Sequence, residues 1–392
     1  MILSSTPMEA DVGDLLDVFD VVADRRAATR GEVAQILGAR PTSVSLLVGE
    51  LVARDLIRDH AVKGPGRGRP TGFLAENPQR LVALYIHIVS STVFARAVTR
   101  GGEVLALASA SPPRGADTAA MAAALRGLAG QVLAALPEGA RHVATVCSLS
   151  GLLDVEHRLW CFSSRWPELA NLDLRATLAE FGPDPVLVRN LDAELAGRIA
   201  AAGGAASNVL LLHWGYGIGG AFATPEGIVN QGKGRFCEIG HWRLDNNAGR
   251  RCTCGNEDCL ETVAALWALH PGLVAQYPDL PLDEEAMGPL VEGLDLLGSP
   301  ALREALRQTV RITTNLCRLL FPERIILTGP FLRNAAIFTR FSESLTSAPI
   351  LRSMDRPIVV QGQENAALLE MQGALRAPLR AALVATLQGD DR

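Results

Sequence analysis

The sequence predicts a two-part chain, in which an N-terminal winged helix-turn-helix precedes a larger α/β region. Short helical patterns joined by a tight glycine-containing turn come first, and a basic Gly/Pro-rich loop follows them. From about Val82 onward, apolar strand-like runs alternate with Ala/Leu-rich helical segments. A chain of 392 residues is long enough for two or three domains, and we place the boundary between residues 1–76 and residues 77–392.

Three helices are predicted in the N-terminal part. Thr29 and Glu32 are spaced as a capping box at the start of the second helix, and Gly38 ends that helix. Pro41 suits the first position of the third helix, which follows after a short turn. The first helix is indicated by apolar residues that share one helical face: Val12, Leu15, Leu16, Phe19 and Val22.

Small polar and basic side chains are concentrated where such a module would contact DNA. The third helix would enter the major groove, and the loop AVKGPGRGRP would form the tip of a hairpin between the strand-like runs LIRDH and TGFLA. Three-helix modules also serve as protein docking domains, and the basic wing favours DNA. The residues expected to contact operator DNA lie at the start of the third helix or in this loop: Arg40, Thr42, Ser43, Ser45, Lys63, Arg67 and Arg69.

Composition narrows the class of protein. A net charge of −5 argues against a uniformly basic nucleic-acid coat, and residues 1–74 carry nine Arg/Lys against ten Asp/Glu. No apolar run approaches the ~20 residues of a membrane span. The N-terminal stretch MILSSTPMEADVGD is acidic, where a signal peptide would be basic. We therefore expect a cytoplasmic protein.

Three of the seven cysteines cluster in the stretch GHWRLDNNAGRRCTCGNEDCLE. In a reducing cytoplasm, clustered cysteines are better explained as metal ligands than as disulfides. Glycines and an Asn-Asn pair supply the tight turns that let the thiolates converge. The alternative is that the histidine and two of the cysteines are incidental. The spacing predicts a structural zinc site whose ligands are His241, Cys252, Cys254 and Cys259.

The same segment resembles the signature of the ROK family, whose name joins repressors, open reading frames and sugar kinases. That family combines a glycine-rich strand-turn, here GYGIGG, with an E-x-G-H element and a C-x-C-G-x-x-G-C-x-E zinc loop. The N-terminal segments with helical patterns and the tripeptide GRP are similar to the winged helix of the repressor branch. The segment ENAALLEMQGAL is similar to the closing helix of that branch. The resemblance implies an actin-like, hexokinase-type pair of α/β lobes with a sugar cleft between them.

The resemblance also implies ligand-binding residues. Glu238 and His241 occupy the E-x-G-H positions, and Glu261 closes the zinc loop. Asp192 aligns with the general base of the kinases, and Gly151 lies in another sugar-facing loop. Two alternatives stay open, in which Glu261 is a carboxylate stabilised at a helix N-terminus and Asp192 caps a helix.

Two further residues lie in the segment SSRWPEL, which occupies another sugar-facing loop of the family. Arg165 stands near the place where relatives carry an asparagine, which suggests a charged or phosphorylated sugar. The alternatives are that Arg165 pairs with a local acid and that Trp166 belongs to the core.

Departures from the kinase pattern argue against ATP use. The first phosphate loop of kinases has an Asp-x-Gly-x-Thr pattern, where this chain has His87 for the aspartate and Val89 for the glycine. Tyr216 stands where a threonine is usual in the glycine-rich turn, and Pro330 replaces a glycine of the third element. Phosphate loops need close main-chain approach and an acid for the metal ion, so we expect this site to be lost.

The predicted function is a non-enzymatic transcriptional regulator, a repressor of carbohydrate-metabolism genes. A sugar or sugar phosphate would control its binding to operator DNA, zinc would be bound, and a homodimer or homotetramer would hold a palindromic operator. Three alternatives remain: a ROK-type sugar kinase, a regulator that responds to a partner protein in place of a sugar, and a transcriptional activator.

Overall fold

The structure is a computed structural model that describes residues 11–62, 71–204, 207–245, 248–348, 357–362 and 365–389. The predicted wing residues Lys63, Arg67 and Arg69 lie outside the described residues, as does the Asn246-Asn247 pair.

The described part of the N-terminal unit contains three helices and a two-stranded hairpin. The side chain of Thr29 accepts from the main chain of Glu32 and Glu32 reciprocates, which confirms the capping box. Gly38 ends the second helix in the left-handed conformation, with φ of 61°. The hairpin strands pair in antiparallel register, from Ile57 opposite Glu76 to Val62 opposite Thr71. The unit consists of α1 (Val12–Ala23), α2 (Arg30–Leu37), α3 (Pro41–Ala53), β1 (Ile57–Val62) and β2 (Thr71–Glu76).

Helices α2 and α3 meet at an angle of 117°. This angle lies within the range of about 90–120° that is typical of a helix-turn-helix. By length and composition the two helices together resemble a broken membrane span, whereas no single helix in the described ranges is long and apolar enough to cross a bilayer.

The first lobe is built on a five-stranded sheet in the order β10-β6-β3-β4-β5. Strands β3, β4 and β5 are antiparallel neighbours, whereas β6 runs parallel to β3 and β10 parallel to β6. Its elements are β3 (Val82–Val89), β4 (Thr92–Thr99), β5 (Val104–Ala110), α4 (Thr118–Ala134), β6 (His142–Leu149), β7 (Leu152–Asp154), β8 (Leu159–Phe162), β9 (Leu172–Asp173), α5 (Leu174–Leu178) and β10 (Pro185–Arg189).

The second lobe repeats the five-stranded plan in the order β13-β12-β11-β14-β15. The last helix returns to the first lobe, where it packs against the helix that follows β10 and against β6. The elements after β10 are α6 (Asn190–Ala201), β11 (Val209–Trp214), β12 (Ile218–Thr224), β13 (Gly227–Ile228), α7 (Glu261–Ala264), α8 (Leu266–Gln276), α9 (Glu284–Val291), α10 (Pro300–Leu320), β14 (Arg324–Thr328), α11 (Ala335–Thr346), β15 (Ile358–Gln361) and α12 (Ala366–Gln388).

One hydrophobic core joins the N-terminal unit to the rest of the chain. Phe19 of α1 and Val48 of α3 belong to the same cluster of buried side chains as Tyr85 of β3, Val146 of β6 and Leu383 of α12. Burial of large apolar side chains is the main stabilising contribution in such a core. The N-terminal unit is therefore packed onto α12 and the first sheet.

Ion pairs and hydrogen bonds surround this junction. Arg54, directly after α3, donates through Nη1 to the carbonyls of Thr386 and Leu387 in the last turns of α12. Arg380 of α12 donates to both carboxylate oxygens of Asp20 in α1, at 2.9 and 2.8 Å. The two ends of the chain are thus joined by charge-assisted contacts as well as by apolar packing.

Candidate functional site

A cleft of about 640 Å³ lies between the two lobes. This volume falls within the range of about 300–1,000 Å³ that is typical of small-molecule sites. Three of the predicted ligand-binding residues line the cleft, namely Gly151, Glu238 and Glu261. Asp192 and His241 are outside this lining and lie next to residues that belong to it.

Gly151 is required where β6 turns into β7. Its φ of 88° is in the left-handed region, and a Cβ at this position would lie 2.1 Å from the carbonyl oxygen of Phe162. The glycine therefore lets the main chain of this loop lie directly at the cleft.

Arg189, at the end of β10, organises two of the predicted ligand-binding acids. Its Nη2 donates to Oε1 of Glu238 at 2.9 Å, and its Nη1 donates to Oδ1 of Asp192 at 3.2 Å. The arginine is buried, lines the cleft and was not predicted from the sequence. A basic residue at the carboxyl end of an apolar strand was the signal that could have revealed it.

Asp192 is fully buried, and its Oδ2 has no hydrogen-bond partner. Burial raises the pKa of this carboxyl to about 6, Arg189 opposes the shift, and Glu238 adds to it. Helix α6 begins at Asn190 with Arg189 at its N-cap, so Asp192 lies in the first turn and does not cap the helix.

Glu261 is buried at the cleft wall and accepts from a neighbouring strand. Its Oε1 accepts from the main-chain N–H of Ile218 at 3.0 Å, and its Oε2 accepts from Nε1 of Trp267 at 3.4 Å. Burial raises its pKa to about 7, against these hydrogen bonds. Glu261 is also the first residue of α7, and its carboxyl forms a further side-chain hydrogen bond with Ser164 of the first lobe.

The four predicted metal ligands converge on one point. Their ligand atoms all lie within 4.8 Å of one another. Nδ1 of His241 is 3.5 Å from Sγ of Cys252, and Sγ of Cys254 is 3.7 Å from Sγ of Cys259. Metal bonds of about 2.0–2.3 Å in a tetrahedron give ligand separations of roughly 3.5–3.8 Å. The cluster therefore fits a four-coordinate metal ion.

The loop that carries these ligands is held by its own main chain. The N–H of Cys252 donates to the carbonyl of Asn256 at 2.8 Å, and Asp258 accepts from the main-chain N–H groups of Gly249 and Arg250. Asp258 has a φ of 56°, in the position where the ROK zinc-loop pattern has a glycine. Its carboxylate contacts stabilise a left-handed conformation that a glycine would adopt without strain.

On the opposite side of the glycine-rich turn lies a residue that the sequence analysis missed, Glu284. Its Oε1 accepts from Nη2 of Arg165 at 2.9 Å and from the main-chain N–H of Tyr216, and its Oε2 lies 3.2 Å from Nε2 of His213. The main-chain N–H of Glu284 donates to Oγ of Ser90 at 2.9 Å. Ser90 and Arg165 belong to the first lobe, so these contacts cross the cleft.

Charge explains the ionisation of Glu284. Burial alone would raise the pKa of its carboxyl, but Arg165 and His213 outweigh that effect and lower it to about 2. Burial alone would lower the pKa of His213, whereas Glu284 raises it to a net value above the usual range. A charged network therefore fills this corner of the cleft.

Both alternatives for the segment SSRWPEL hold in this structure. Arg165 pairs with an acid, Glu284, although that acid comes from the other lobe. Trp166 is buried against Trp160 in an edge-on contact with ring centroids 5.8 Å apart. Arg165 also lies over the ring of Tyr216, with 4.5 Å between the guanidinium carbon and the ring centroid.

The residue that replaces the kinase aspartate lies outside the cleft lining. His87 is buried between the rings of Tyr85 and Phe94, with centroid distances of 4.8 and 5.3 Å, and both of its ring nitrogens lack partners. Burial lowers its pKa to about 3. Val89, by contrast, lines the cleft at the position where kinases have a glycine.

Glu370 of α12 is another cleft residue that the sequence analysis missed. Its Oε1 accepts from Oγ of Ser148 at 2.6 Å and from the hydroxyl of Tyr85 at 3.2 Å. Burial raises its pKa to about 8. The first turns of α12 therefore lie at the cleft, while its last turns contact Arg54 of the N-terminal unit.

The described members of the predicted DNA-binding set form one exposed patch. Arg40, Thr42, Ser43 and Ser45 are all exposed around the N-terminus of α3. The hydroxyl of Ser45 donates to the carbonyl of Pro41 at 2.9 Å, and Arg40 is the N-cap residue of the helix. The first turn of α3 is thus accessible to a partner.

Comparison with curated proteins identifies one regulator and one kinase among the relatives of this chain. It is 20% identical over 340 residues to the DNA-binding transcriptional repressor Mlc of Escherichia coli K12, with 84% of each chain covered. It is 39% identical over 95 residues to a glucokinase of Halalkalibacterium halodurans, which covers 24% of this chain and 28% of that protein.

Solved structures extend the comparison to the fold. A ROK family transcriptional regulator, a homologue of the E. coli MLC protein, has a TM-score of 0.65 at 20% identity and covers 95% of this chain and 98% of its own. A ROK glucokinase from Streptomyces griseus, in complex with glucose and AMPPNP, has a TM-score of 0.57 at 18% identity and covers 76% and 99%. These likenesses support the expected two-lobed, actin-like α/β fold. The ROK family profile matches residues 96–375, and the chain therefore belongs to the ROK family.

Proposed function

We propose that this chain is a DNA-binding transcriptional regulator, a repressor of carbohydrate-metabolism genes whose operator affinity is controlled by a sugar or sugar phosphate. The observation that carries the proposal is the N-terminal unit. It precedes residues 96–375 that match the family profile, and it is packed onto the rest of the chain. The similar regulator covers 95% of this chain, whereas the similar glucokinase covers 76%.

Residues 1–76 are proposed as a winged helix-turn-helix. The 117° angle between α2 and α3 and the hairpin of β1 and β2 support this assignment. Helix α3 would present its N-terminal turn to the major groove, and the wing would reach an adjacent groove or phosphate strand. The proposed DNA contacts are Arg40, Thr42, Ser43, Ser45, Lys63, Arg67 and Arg69.

The sugar would bind in the cleft beside the metal loop. Glu238 and Glu261 line this side and offer carboxyl oxygens to sugar hydroxyls, and Gly151 of the first lobe lines the same cleft. Asp192 would act on the ligand through Arg189, which it contacts. His241 would support the same wall from the metal cluster, since its main-chain N–H donates to the carbonyl of Glu238.

The metal ion is proposed to be Zn²⁺. Three cysteines and one histidine form a closed set of four soft and borderline ligands, which is typical of structural zinc. Bound zinc would cross-link the loop and fix the positions of His241 and Glu261 at the cleft wall. No chemical step is assigned to it.

Helix α12 offers a physical route from ligand to DNA. Its first turns line the cleft with Leu368 and Glu370, and its last turns accept hydrogen bonds from Arg54, directly after α3. A ligand that favours one arrangement of the lobes would therefore shift α3 in a homodimer or homotetramer bound to a palindromic operator. Reciprocity requires that operator DNA weakens ligand binding by the same factor.

A kinase function is disfavoured by the glycine-rich turn. Its main-chain N–H groups at Tyr216 and Ile218 already donate to Glu284 and Glu261. To reach both of these donors, the phosphates of a nucleotide would have to displace both carboxyl groups, whereas a single anionic group could displace one. We therefore propose that the chain has no kinase activity.

The test is operator binding by the full-length, zinc-loaded protein at fixed salt concentration, titrated with sugars and sugar phosphates. We expect one ligand class to weaken DNA binding by fivefold or more, without ATP turnover. Turnover of ATP with a hexose would contradict the proposal. Arg40→Ala together with Ser43→Ala is expected to lower operator affinity while cleft binding stays unchanged.

A further inference from the structure

The corner of the cleft at the glycine-rich turn holds Glu284 in the way that an anion-binding site holds its ligand. One carboxylate receives an arginine N–H from Arg165, a main-chain N–H from Tyr216 and an imidazole contact from His213. Arginine forks and main-chain amides are donors that proteins use for both carboxylates and phosphates. The donor set is therefore matched to an anionic group in general.

This corner is largely removed from water. The side chains of Arg165 and Glu284 are 15% and 14% exposed, so their charges interact more strongly than a surface pair would. A Cβ at position 215 would lie 2.8 Å from Oε1 of Glu284 and 2.5 Å from Nε2 of His213. Any larger residue at this position would therefore require the carboxylate or the imidazole to shift away from the turn.

The same contacts link the two lobes. Arg165 and Ser90 of the first lobe hold the side chain and the main-chain N–H of Glu284, which begins α9 in the second lobe. We call Ser90, Arg165, His213, Tyr216 and Glu284 the latch. A group that replaced the Glu284 carboxylate would break the ionic part of this link.

Arg165 differs in this respect from Arg189, a second arginine that lines the cleft. Arg189 pairs with both Asp192 and Glu238, so displacement of one carboxylate leaves it paired with the other. Among the described residues, the carboxylate of Glu284 is the one ion-pair partner of Arg165. An incoming anion can therefore replace the partner of Arg165 with a single exchange.

We propose that Glu284 is a built-in competitor for an anionic group of the effector. A phosphate or carboxylate carried by a monosaccharide would replace Glu284 on Arg165 and His213, while the sugar hydroxyls contact Glu238 and Glu261. The sugar half of this inference rests on the proposed function. A neutral sugar would leave the latch closed, and a phosphate would compete best because it carries more charge than a carboxylate.

The first test measures the anion site without any sugar. Inorganic phosphate is titrated by calorimetry, at constant ionic strength, into the full-length, metal-loaded wild type, Glu284→Ala and Arg165→Met. A parallel titration with acetate measures the affinity for a carboxylate. We expect Glu284→Ala to bind phosphate at least tenfold more tightly than wild type, and Arg165→Met to lose this binding. Glu284→Gln keeps the shape of the side chain and is expected to change in the same direction, which covers a folding defect in the alanine variant.

Matched controls come from surface ion pairs of the same types. Arg175→Met removes an arginine that pairs with Asp184 on the surface, and Glu304→Ala removes the partner of Arg307, outside the cleft lining. Neither Arg175→Met nor Glu304→Ala is expected to change phosphate affinity. Equal phosphate affinity in wild type, Glu284→Ala and Glu284→Gln would overturn the inference.

The second test compares glucose, glucose 6-phosphate and glucuronate as ligands of the wild type. We expect the wild type to bind one or both anionic sugars at least tenfold more tightly than glucose. In Arg165→Met, the affinities for the three sugars are expected to lie within threefold of one another. Release of operator DNA by glucose as effectively as by the anionic sugars would overturn the effector class. If no sugar binds while Glu284→Ala gains phosphate affinity, the anion site stands and the sugar part of the proposed function fails.

Discussion

The two sides of the cleft use the same main-chain turn in different ways. On the metal-loop side, defined by Glu238, His241, Glu261 and the three clustered cysteines, the N–H of Ile218 donates to Glu261. On the latch side, the N–H of Tyr216 donates to Glu284. Glu261 receives no arginine contact among its described hydrogen bonds, whereas Glu284 is held by Arg165.

This difference decides the ionisation of the two acids. Burial raises the pKa of Glu261 to about 7, whereas Arg165 and His213 bring that of Glu284 down to about 2 against the effect of burial. Neutral hydrogen-bond donors and the weaker effect of the Arg165 charge leave the pKa of Glu261 raised, whereas direct contacts with Arg165 and His213 keep Glu284 charged. One side of the turn is therefore suited to hydrogen bonding with hydroxyls, and the other to an ionic link between lobes.

The largest expected effect comes from the metal-loop side. In Cys254→Ser one of four ligands is lost, and we expect metal content to fall from one ion per chain toward zero. The free energy of unfolding should fall by on the order of 4 kcal/mol or more, because the metal ion cross-links the loop. Elemental analysis and thermal unfolding, with and without a chelator, measure both changes.

Cys161→Ser is the matched control for this variant. Cys161 is half-buried and lies outside the cluster, so its replacement should leave metal content unchanged. Full metal occupancy in Cys254→Ser, with wild-type stability, would show that this cysteine is not a ligand.

The metal-loop side could be predicted because its chemistry is local in sequence. All four ligands and both neighbouring acids fall between Glu238 and Glu261, so their spacing alone suggested the site. The latch could not be predicted in this way. Arg165 and Glu284 are 119 residues apart, Ser90 and Glu284 are 194 apart, and no motif links them.

The fold, like the site, has parts that local sequence signals predict and parts that depend on contacts between distant residues. Helix caps and the hairpin of the N-terminal unit follow from local signals such as Thr29, Glu32 and Gly38, and the structure confirms them. The two-lobed arrangement came only from the family resemblance. The contact of Arg54 with the carbonyl of Thr386 spans 332 residues, and neither residue carries a local pattern that could indicate it.

On the latch side, Glu284→Gln keeps the shape of the side chain and removes its charge. A pKa lowered from about 4.5 to about 2 corresponds to on the order of 3 kcal/mol of stability, which the variant should lack at pH 6. The contribution of Glu284 is present above pH 4.5 and is lost as the pH falls through about 2. That of His213, whose pKa is raised, is present below pH 6.5 and is lost as the pH rises through its value in the folded protein.

The difference in stability between wild type and Glu284→Gln is therefore expected to be largest between about pH 4.5 and 6.5. Chemical denaturation of both proteins across this range and on either side of it measures the difference, and acid effects common to both proteins cancel. Glu292→Gln serves as the control, since its pair with Arg333 is more exposed. A difference that stays constant from pH 3 to pH 8 would show that the carboxylate is not held by charge.

The smallest expected effect comes from the main-chain part of the latch, in which the N–H of Glu284 contacts Ser90, as distinct from the ionic part formed by Arg165 and the Glu284 carboxylate. Ser90→Ala removes the acceptor of the Glu284 N–H and should cost about 1 kcal/mol, with Ser111→Ala as a surface hydroxyl control. Both parts of the latch fix the start of α9 against the first lobe, so Ser90→Ala should cost less once Glu284→Gln has loosened that contact. A double-mutant cycle is expected to give a coupling of at least 0.5 kcal/mol, the size typical of residues that act as a unit. Strict additivity would mean that the serine and the carboxylate hold the lobes independently, and the metal-loop side would then be the better choice for locating the ligand-controlled movement.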